Sequence, residues 1–317
     1  MEDEKMVKAM CFGEAMIRLS TCDNERFEQA RRLELSLAGA ESNFAIAFTK
    51  LGGQGAFASV LPDSPLGRWA LNEIRKDGVD VSDVLMGKGR MGLYFVEMGS
   101  KPRATKVVYD RKNSAFANAE EFSTDLECDI VHTTGITLAL SDRAREEAYV
   151  LFERAQKKGT TTSFDMNYRE KLWSTEEALK AAEPILYRTD ILFSTIEDVR
   201  RVFEIDKAPQ LCAEELNTRY SIPTVVITMG KDGALCLKDG ELFREHGYDV
   251  EAVDRIGAGD AFDAAFTLLL LEKKDASLAL RYAVAAAAIA HTIRGDVFYA
   301  SRDEIEEVLG LRKGAFR

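Results

Sequence analysis

Asp254-Arg255-Ile256-Gly257-Ala258-Gly259-Asp260 leads directly into the apolar run 261–271. Two glycines at the mouth of a helix let the backbone turn sharply and approach a ligand closely. The first N–H groups of such a helix have no intrahelical partner, and with the helix dipole they form an anion site. The N–H groups of Gly257, Ala258 and Gly259 are therefore expected to stabilise charge spreading over a moving phosphoryl group. Asp260 lies in the same first turn. The positive helix end is expected to favour its ionised form, which makes it the candidate base for a substrate hydroxyl. Taken alone, the same residues also read as a helix cap and a glycine turn.

Working outward, short apolar runs alternate with helical patterns. Strands are expected at 7–12, 56–60, 130–133, 161–165, 191–193 and 224–228. Helices are expected at 41–51, 66–76, 142–158, 261–271, 278–292 and 302–309. This order predicts an α/β fold, a mostly parallel central sheet with helices on both faces. Strands 234–237 and 241–244 form a hairpin around Asp239-Gly240. Between Gly92 and Tyr109 the rhythm breaks. Strands 93–98 and 105–108 follow one another through Gly99-Ser100-Lys101-Pro102, without a helix. They read as an antiparallel flap beside the main sheet. A single domain over residues 1–317 carrying this small β flap is expected. An exposed flap edge can pair with a second subunit, so a homo-oligomer is expected too.

The composition is that of a globular protein, with 46% hydrophobic and 30% charged residues in 317. No apolar stretch reaches the roughly 20 residues needed to cross a bilayer. Met1-Glu2-Asp3-Glu4-Lys5 is acidic and lacks a signal-peptide pattern, so a cytoplasmic protein is expected. Five scattered cysteines without a C-x-x-C argue against a disulfide framework or a zinc site. The formal net charge of −11 argues against nucleic acid or an anionic membrane as partner. It also means that an anionic ligand needs local N–H groups, a metal ion or placed arginines.

Other motifs fail on context. Gly87-Lys88-Gly89-Arg90-Met91-Gly92 matches G-x-G-x-x-G, but a strand follows it where a dinucleotide site needs a helix. A dehydrogenase therefore has little support. There is no G-x-x-x-x-G-K-[ST], and the protein-kinase H-R-D and D-F-G sequences are absent. His132, His246 and His291 lie far apart, without metal-ligand spacing.

Four segments, in order, resemble the signatures of the ribokinase-like (PfkB) carbohydrate kinases. They are Ala38-Gly39-Ala40-Glu41-Ser42-Asn43, Asp77-Gly78-Val79-Asp80, Thr228-Met229-Gly230-Lys231-Asp232-Gly233, and the opening Asp254–Asp260 segment. The resemblance spans nearly the whole chain. It implies a ribokinase-like fold in which the flap at about 92–109, with parts of the N-terminal region, is a lid over the sugar. It implies ATP and Mg²⁺, Asp260 as base, and the N–H groups of Gly257, Ala258 and Gly259 as anion hole. Thr228, Gly230, Lys231 and Gly233 would line the nucleotide together with Ser194, Gly257 and Gly259. Glu197 would act on Mg²⁺ indirectly. A monovalent cation such as K⁺ would rely on backbone carbonyls and Asp254, since Ile256 has no side-chain oxygen. Arg255 is an alternative holder of phosphate. Two further departures are Ser194, where the family commonly has asparagine, and Ala38, where it has glycine.

Within that family the chain is most similar to 2-keto-3-deoxygluconate kinases. The residues are Gly92-Leu93-Tyr94-Phe95, Val107-Val108-Tyr109-Asp110-Arg111, Phe164-Asp165-Met166-Asn167-Tyr168-Arg169 and Leu172-Trp173. The similarity implies a sugar acid bound by Gly39, Asn43, Tyr94, Tyr109, Arg111, Arg169 and Asp260. Arginine offers a carboxylate a planar, permanently charged fork. Alternatives are surface pairing of Arg111 with Asp110 and of Arg169 with Glu170, a neutral sugar or nucleoside as substrate, or a non-catalytic sugar-binding protein.

Overall fold

Apolar runs become strands and amphipathic runs become helices, largely in the expected order. The computed structural model describes residues 6–99 and 102–312. Residues 1–5, and Ser100 and Lys101 of the expected flap turn, lie outside the described residues.

The chain begins β1 (Lys8–Phe12), β2 (Met16–Thr21), β3 (Leu33–Ala38), α1 (Ala40–Lys50), β4 (Gln54–Pro62) and α2 (Pro65–Lys76). β5 (Val84–Gly87) precedes β6 (Gly92–Glu97) and β7 (Lys106–Asp110). Next come β8 (Ile130–Thr134), α3 (Gly135–Leu140), α4 (Asp142–Lys158), β9 (Thr161–Asp165) and α5 (Thr175–Leu186). They are followed by β10 (Ile191–Thr195), α6 (Ile196–Val202), α7 (Pro209–Tyr220) and β11 (Thr224–Thr228). The hairpin β12 (Ala234–Lys238) and β13 (Glu241–Glu245) leads to α8 (Ala258–Leu271), α9 (Ala276–Ala290) and α10 (Arg302–Val308).

The main sheet has nine strands in the order β13-β12-β11-β10-β9-β8-β1-β4-β5. From β11 to β5 every neighbouring pair is parallel, and only the β11–β12 and β12–β13 pairs are antiparallel. Two apolar cores cover its faces. One joins α1, α8 and α9 through residues such as Phe44, Phe48, Phe266 and Leu280. The other holds Leu151, Phe152, Ile185 and Leu216 from α4, α5 and α7. The parallel strands end together at Phe12, Thr134, Asp165, Thr195 and Thr228, the edge where α/β folds bind ligands.

The expected flap strands form β6 and β7, paired antiparallel with Tyr94 opposite Tyr109. The second sheet is larger than a hairpin and is not purely antiparallel. Its order is β3-β2-β6-β7, and β2 pairs with β6 in parallel. Met16, Ala38, Tyr94, Val96 and Met98 form its small buried face, with Ile256 packed against it. No helix among the described residues is long and apolar enough to cross a membrane.

Candidate active site

Gly257 caps α8 at φ 84, a left-handed conformation that glycine adopts freely. The first helical bond runs from the Ala261 N–H to the Gly257 carbonyl at 3.1 Å. The N–H groups of Ala258, Gly259 and Asp260 therefore lie in the turn that has no helical acceptors. Asn43, on the neighbouring α1, donates from Nδ2 to Oδ2 of Asp260 at 2.7 Å. Its own Oδ1 is buried without a partner.

The Asp260 carboxyl is held well above the usual carboxylate range, by burial first and then by Asp165 and Asp296, against the Asn43 bond and Arg169. The helix end was expected to favour the ionised form, and the shift runs the other way. Burial among other carboxylates outweighs the partial charge of the helix terminus. A carboxylate raised toward the working pH is a better proton acceptor. Asp165, at the end of β9, is itself pushed up to about 7 by burial and by Asp198. Asp263, one turn after Asp260, is raised by burial and by Asp165.

Of the residues expected to bind a sugar, Gly39 and Arg111 meet at the turn between β1 and β2. A Cβ on Gly39 would lie 2.5 Å from the Glu14 carbonyl oxygen. Arg111 is buried, and its Nε donates to Glu14 Oε2 at 2.9 Å while Nη2 reaches the same oxygen. Asp110 pairs instead with Arg90, at 2.5 Å. Glu14 Oε1 is buried and unpartnered. Tyr94 is buried, and its hydroxyl lies 2.7 and 2.6 Å from the two Asp296 oxygens. Its hydrogen is thus committed to Asp296, where ligand contact was expected. Tyr109 is more open and stacks on Tyr94 with centroids 5.7 Å apart. Arg169 is exposed and makes no ion pair among the described residues, while Glu170 pairs with Arg201 at 2.9 Å.

Of the residues expected to line a nucleotide, Thr228 ends β11, and Gly230 and Lys231 sit exposed on a short turn. Gly233 has φ 89, and a Cβ there would lie 2.0 Å from the Glu245 carbonyl oxygen. Ser194 is buried, with its hydroxyl donating to the Thr195 carbonyl at 3.3 Å. Glu197 and Asp198 occupy the first turn of α6. Among the described residues no group of three His, Cys, Asp or Glu could hold a metal ion alone. One or two carboxylates beside phosphates are what Mg²⁺ commonly uses, so Glu197 and Asp198 fit a Mg²⁺ carried with a nucleotide.

Asp254 does not fit the expected cation role. Its Oδ2 accepts from Arg18 Nη2 at 2.6 Å and from the Gly295 N–H at 3.2 Å. Its Oδ1 accepts the N–H groups of Arg255 and Ile256 at 2.8 and 3.2 Å. A surface groove of about 530 Å³, lined by Thr161, Asp190 and Thr224, lies at the opposite ends of β9–β11 and carries none of this chemistry.

The sequence pattern of the pfkB family carbohydrate kinases matches residues 6–301. The chain belongs to that family. It is 42% identical over 302 residues to a 2-dehydro-3-deoxygalactonokinase of Haloferax volcanii, covering 94% of this chain and 95% of the relative. It is 32% identical to a 2-dehydro-3-deoxygluconokinase of Thermoproteus tenax, covering 92% and 91%. A solved structure of 2-dehydro-3-deoxygluconokinase from Thermotoga maritima superposes with a TM-score of 0.91 at 34% identity, covering 96% of this chain and 98% of that one. As a carbohydrate kinase of this family, the protein is a phosphotransferase with an alcohol group as acceptor.

Several residues of the site escaped sequence reasoning. Arg18 left one signal, a single charge inside the apolar strand Met16–Thr21. Asp263 is likewise a second acid, one turn after Asp260, on the otherwise apolar helix α8. Glu14 and Asp296 left none, because each matters only through a partner distant in sequence.

Proposed function

We propose that this carbohydrate kinase transfers the γ-phosphoryl group of ATP to the terminal hydroxyl of a 2-keto-3-deoxy sugar acid. 2-Keto-3-deoxygluconate is the leading substrate, and the galactonate epimer shares its chemistry. The observation that carries the reading is Asp260. It is a raised carboxyl fixed by Asn43 in the helix turn whose N–H groups lack helical acceptors. The substrate oxygen forms a bond to the γ-phosphorus as the bond to the ADP oxygen breaks, and its proton passes to Asp260. The N–H groups at the mouth of α8 face the growing charge. Mg²⁺, when bound with ATP, neutralises phosphate charge, and Glu197 would hold it through water.

Arg169, exposed and without an ion pair among the described residues although its charge also acts on Asp165, Asp198 and Asp260, is the cation proposed for the sugar carboxylate. Arg111 is paired with Glu14 through Oε2 alone, which leaves Glu14 Oε1 as an acceptor for a sugar hydroxyl. The small sheet closes over this site as the lid of a single kinase domain. Exposed Leu35 and Val108 on that sheet support its pairing with a second copy. A coupled kinase assay over both 2-keto-3-deoxy acids, fructose, ribose and a nucleoside tests the substrate. Faster turnover of any neutral sugar than of either acid sinks the assignment.

A further inference from the structure

Arg18 is placed where a charge is least expected. It lies in β2 between apolar neighbours and is 0% exposed. Removing a guanidinium from water is tolerated only when its donors are satisfied and its charge is matched. Here Nη1 donates to Asp296 Oδ1 at 2.7 Å and Nη2 to Asp254 Oδ2 at 2.6 Å. Nε donates to Ser20 Oγ at 2.7 Å, and Nη2 also lies 3.4 Å from the Met98 sulfur.

The two carboxylates belong to different turns, and both turns shape the mouth of α8. Asp254 opens the segment that ends in Asp260, and its Oδ1 gathers the next two N–H groups. The backbone of Asp296 lies against Gly257 so closely that a Cβ there would stand 2.0 Å from the Asp296 oxygen. Asp296 also accepts the Tyr94 hydroxyl from β6. One guanidinium therefore ties two strands of the small sheet to both turns beside the anion-binding helix end. Without it, two buried carboxylates would face each other. Burial, and to a lesser degree Asp254, raises the pKa of Asp296, and Arg18 opposes that shift. Both carboxylate oxygens of Asp254 already accept protein donors, and Ile256 packs against the small sheet.

We propose that Arg18 is a positioning residue for phosphoryl transfer. Its fixed charge holds the Asp254 and Asp296 turns in register with the mouth of α8 and takes the place of a monovalent metal ion. A lysine point charge cannot span both carboxylates as the planar fork does.

The proposal rests on the kinase reading and is tested with Arg18→Met and Arg18→Lys. Activity is measured in potassium-free tetramethylammonium buffer and in saturating potassium chloride. The wild-type kcat is expected to be equal in both. Folded Arg18→Met should lose about 100-fold in kcat, the usual scale for a displaced catalytic frame, with a smaller change in sugar KM. Arg18→Lys should recover part of that loss. A role in stability alone would lower the melting temperature and leave the kcat of the folded variant intact, which overturns the proposal. A wild-type enzyme that requires potassium overturns it as well. If Arg18→Met does not fold, the wild-type potassium titration decides. If no sugar in the panel is turned over, the substrate reading fails separately. Calorimetry of ATP binding then decides, since potassium-tightened binding to the wild type would overturn the proposal.

Discussion

The carbonyl oxygen of Asp296 stands only 2.0 Å from where a Cβ on Gly257 would be. Gly257 also has φ 84, so an added side chain meets both backbone strain and a backbone atom that cannot swing away. Gly257→Ala is expected to lower the melting temperature and to reduce kcat by about 100-fold. Gly259 is the internal control, because nothing lies within 4 Å of its added Cβ. Gly259→Ala should melt like the wild type and raise the KM for ATP. Equal losses of stability in the two variants would contradict this reading.

Asp260→Asn separates chemistry from stability. Removing a general base is expected to lower kcat by about 10²- to 10⁴-fold, with sugar binding retained. The folded-state pKa of Asp260 is raised, first by burial. Such a group is bound to its proton more tightly in the folded than in the unfolded chain. Stability is then lost as pH rises from the unfolded carboxylate range, about 3.9, through the folded value. At neutral pH the asparagine variant should therefore melt higher than the wild type. A lower melting temperature would remove burial as the cause of the shift.

The pH profile should report the carboxyl cluster. Asp165 is pushed up to about 7 by burial and Asp198, and it raises Asp260 in turn. The acid limb of kcat/KM is expected near neutrality and belongs to the coupled group rather than to one residue. Asp165→Asn removes a like charge beside Asp260, so the limb should move to lower pH. An unmoved limb in the variant would dissociate Asp165 from the base.

Arg169 and Glu14 test the sugar side from opposite directions. Arg169→Ala should raise the KM for the sugar acid by about ten- to a hundredfold, the scale of a charged hydrogen bond, and leave the KM for ATP unchanged. Glu14→Ala strands buried Arg111 without its counter-ion. The expected loss is about 3–5 kcal/mol of folding stability, read by chemical denaturation. Added sugar acid should restore part of it through its carboxylate.

The order of elements was readable because hydrophobic periodicity is local. Helix 142–158 and strands 161–165 and 224–228 coincide with α4, β9 and β11. β2 and β3 were passed over, since Arg18 interrupts one and the outer residues of the other are exposed. Glycine turns were readable too. Gly257, Gly233 and Gly39 all take positive φ where their motifs require it.

What the sequence by itself determined is the layered α/β scaffold, the glycine mouth of α8 and the identity of Asp260. Each depends on residues within a few positions of one another. Only the tertiary structure decided how the charges are matched. Asp254 meets Arg18 across 236 residues, Asn43 meets Asp260 across 217, and Arg111 meets Glu14 across 97. Burial then decides which carboxylates hold their protons, because desolvation and neighbouring charge depend on what surrounds a group in space. The opening segment thus singled out Asp260, the base proposed here, while the surroundings that raise its pKa and the Arg18–Asp254 pair come from strands folded in from elsewhere in the chain.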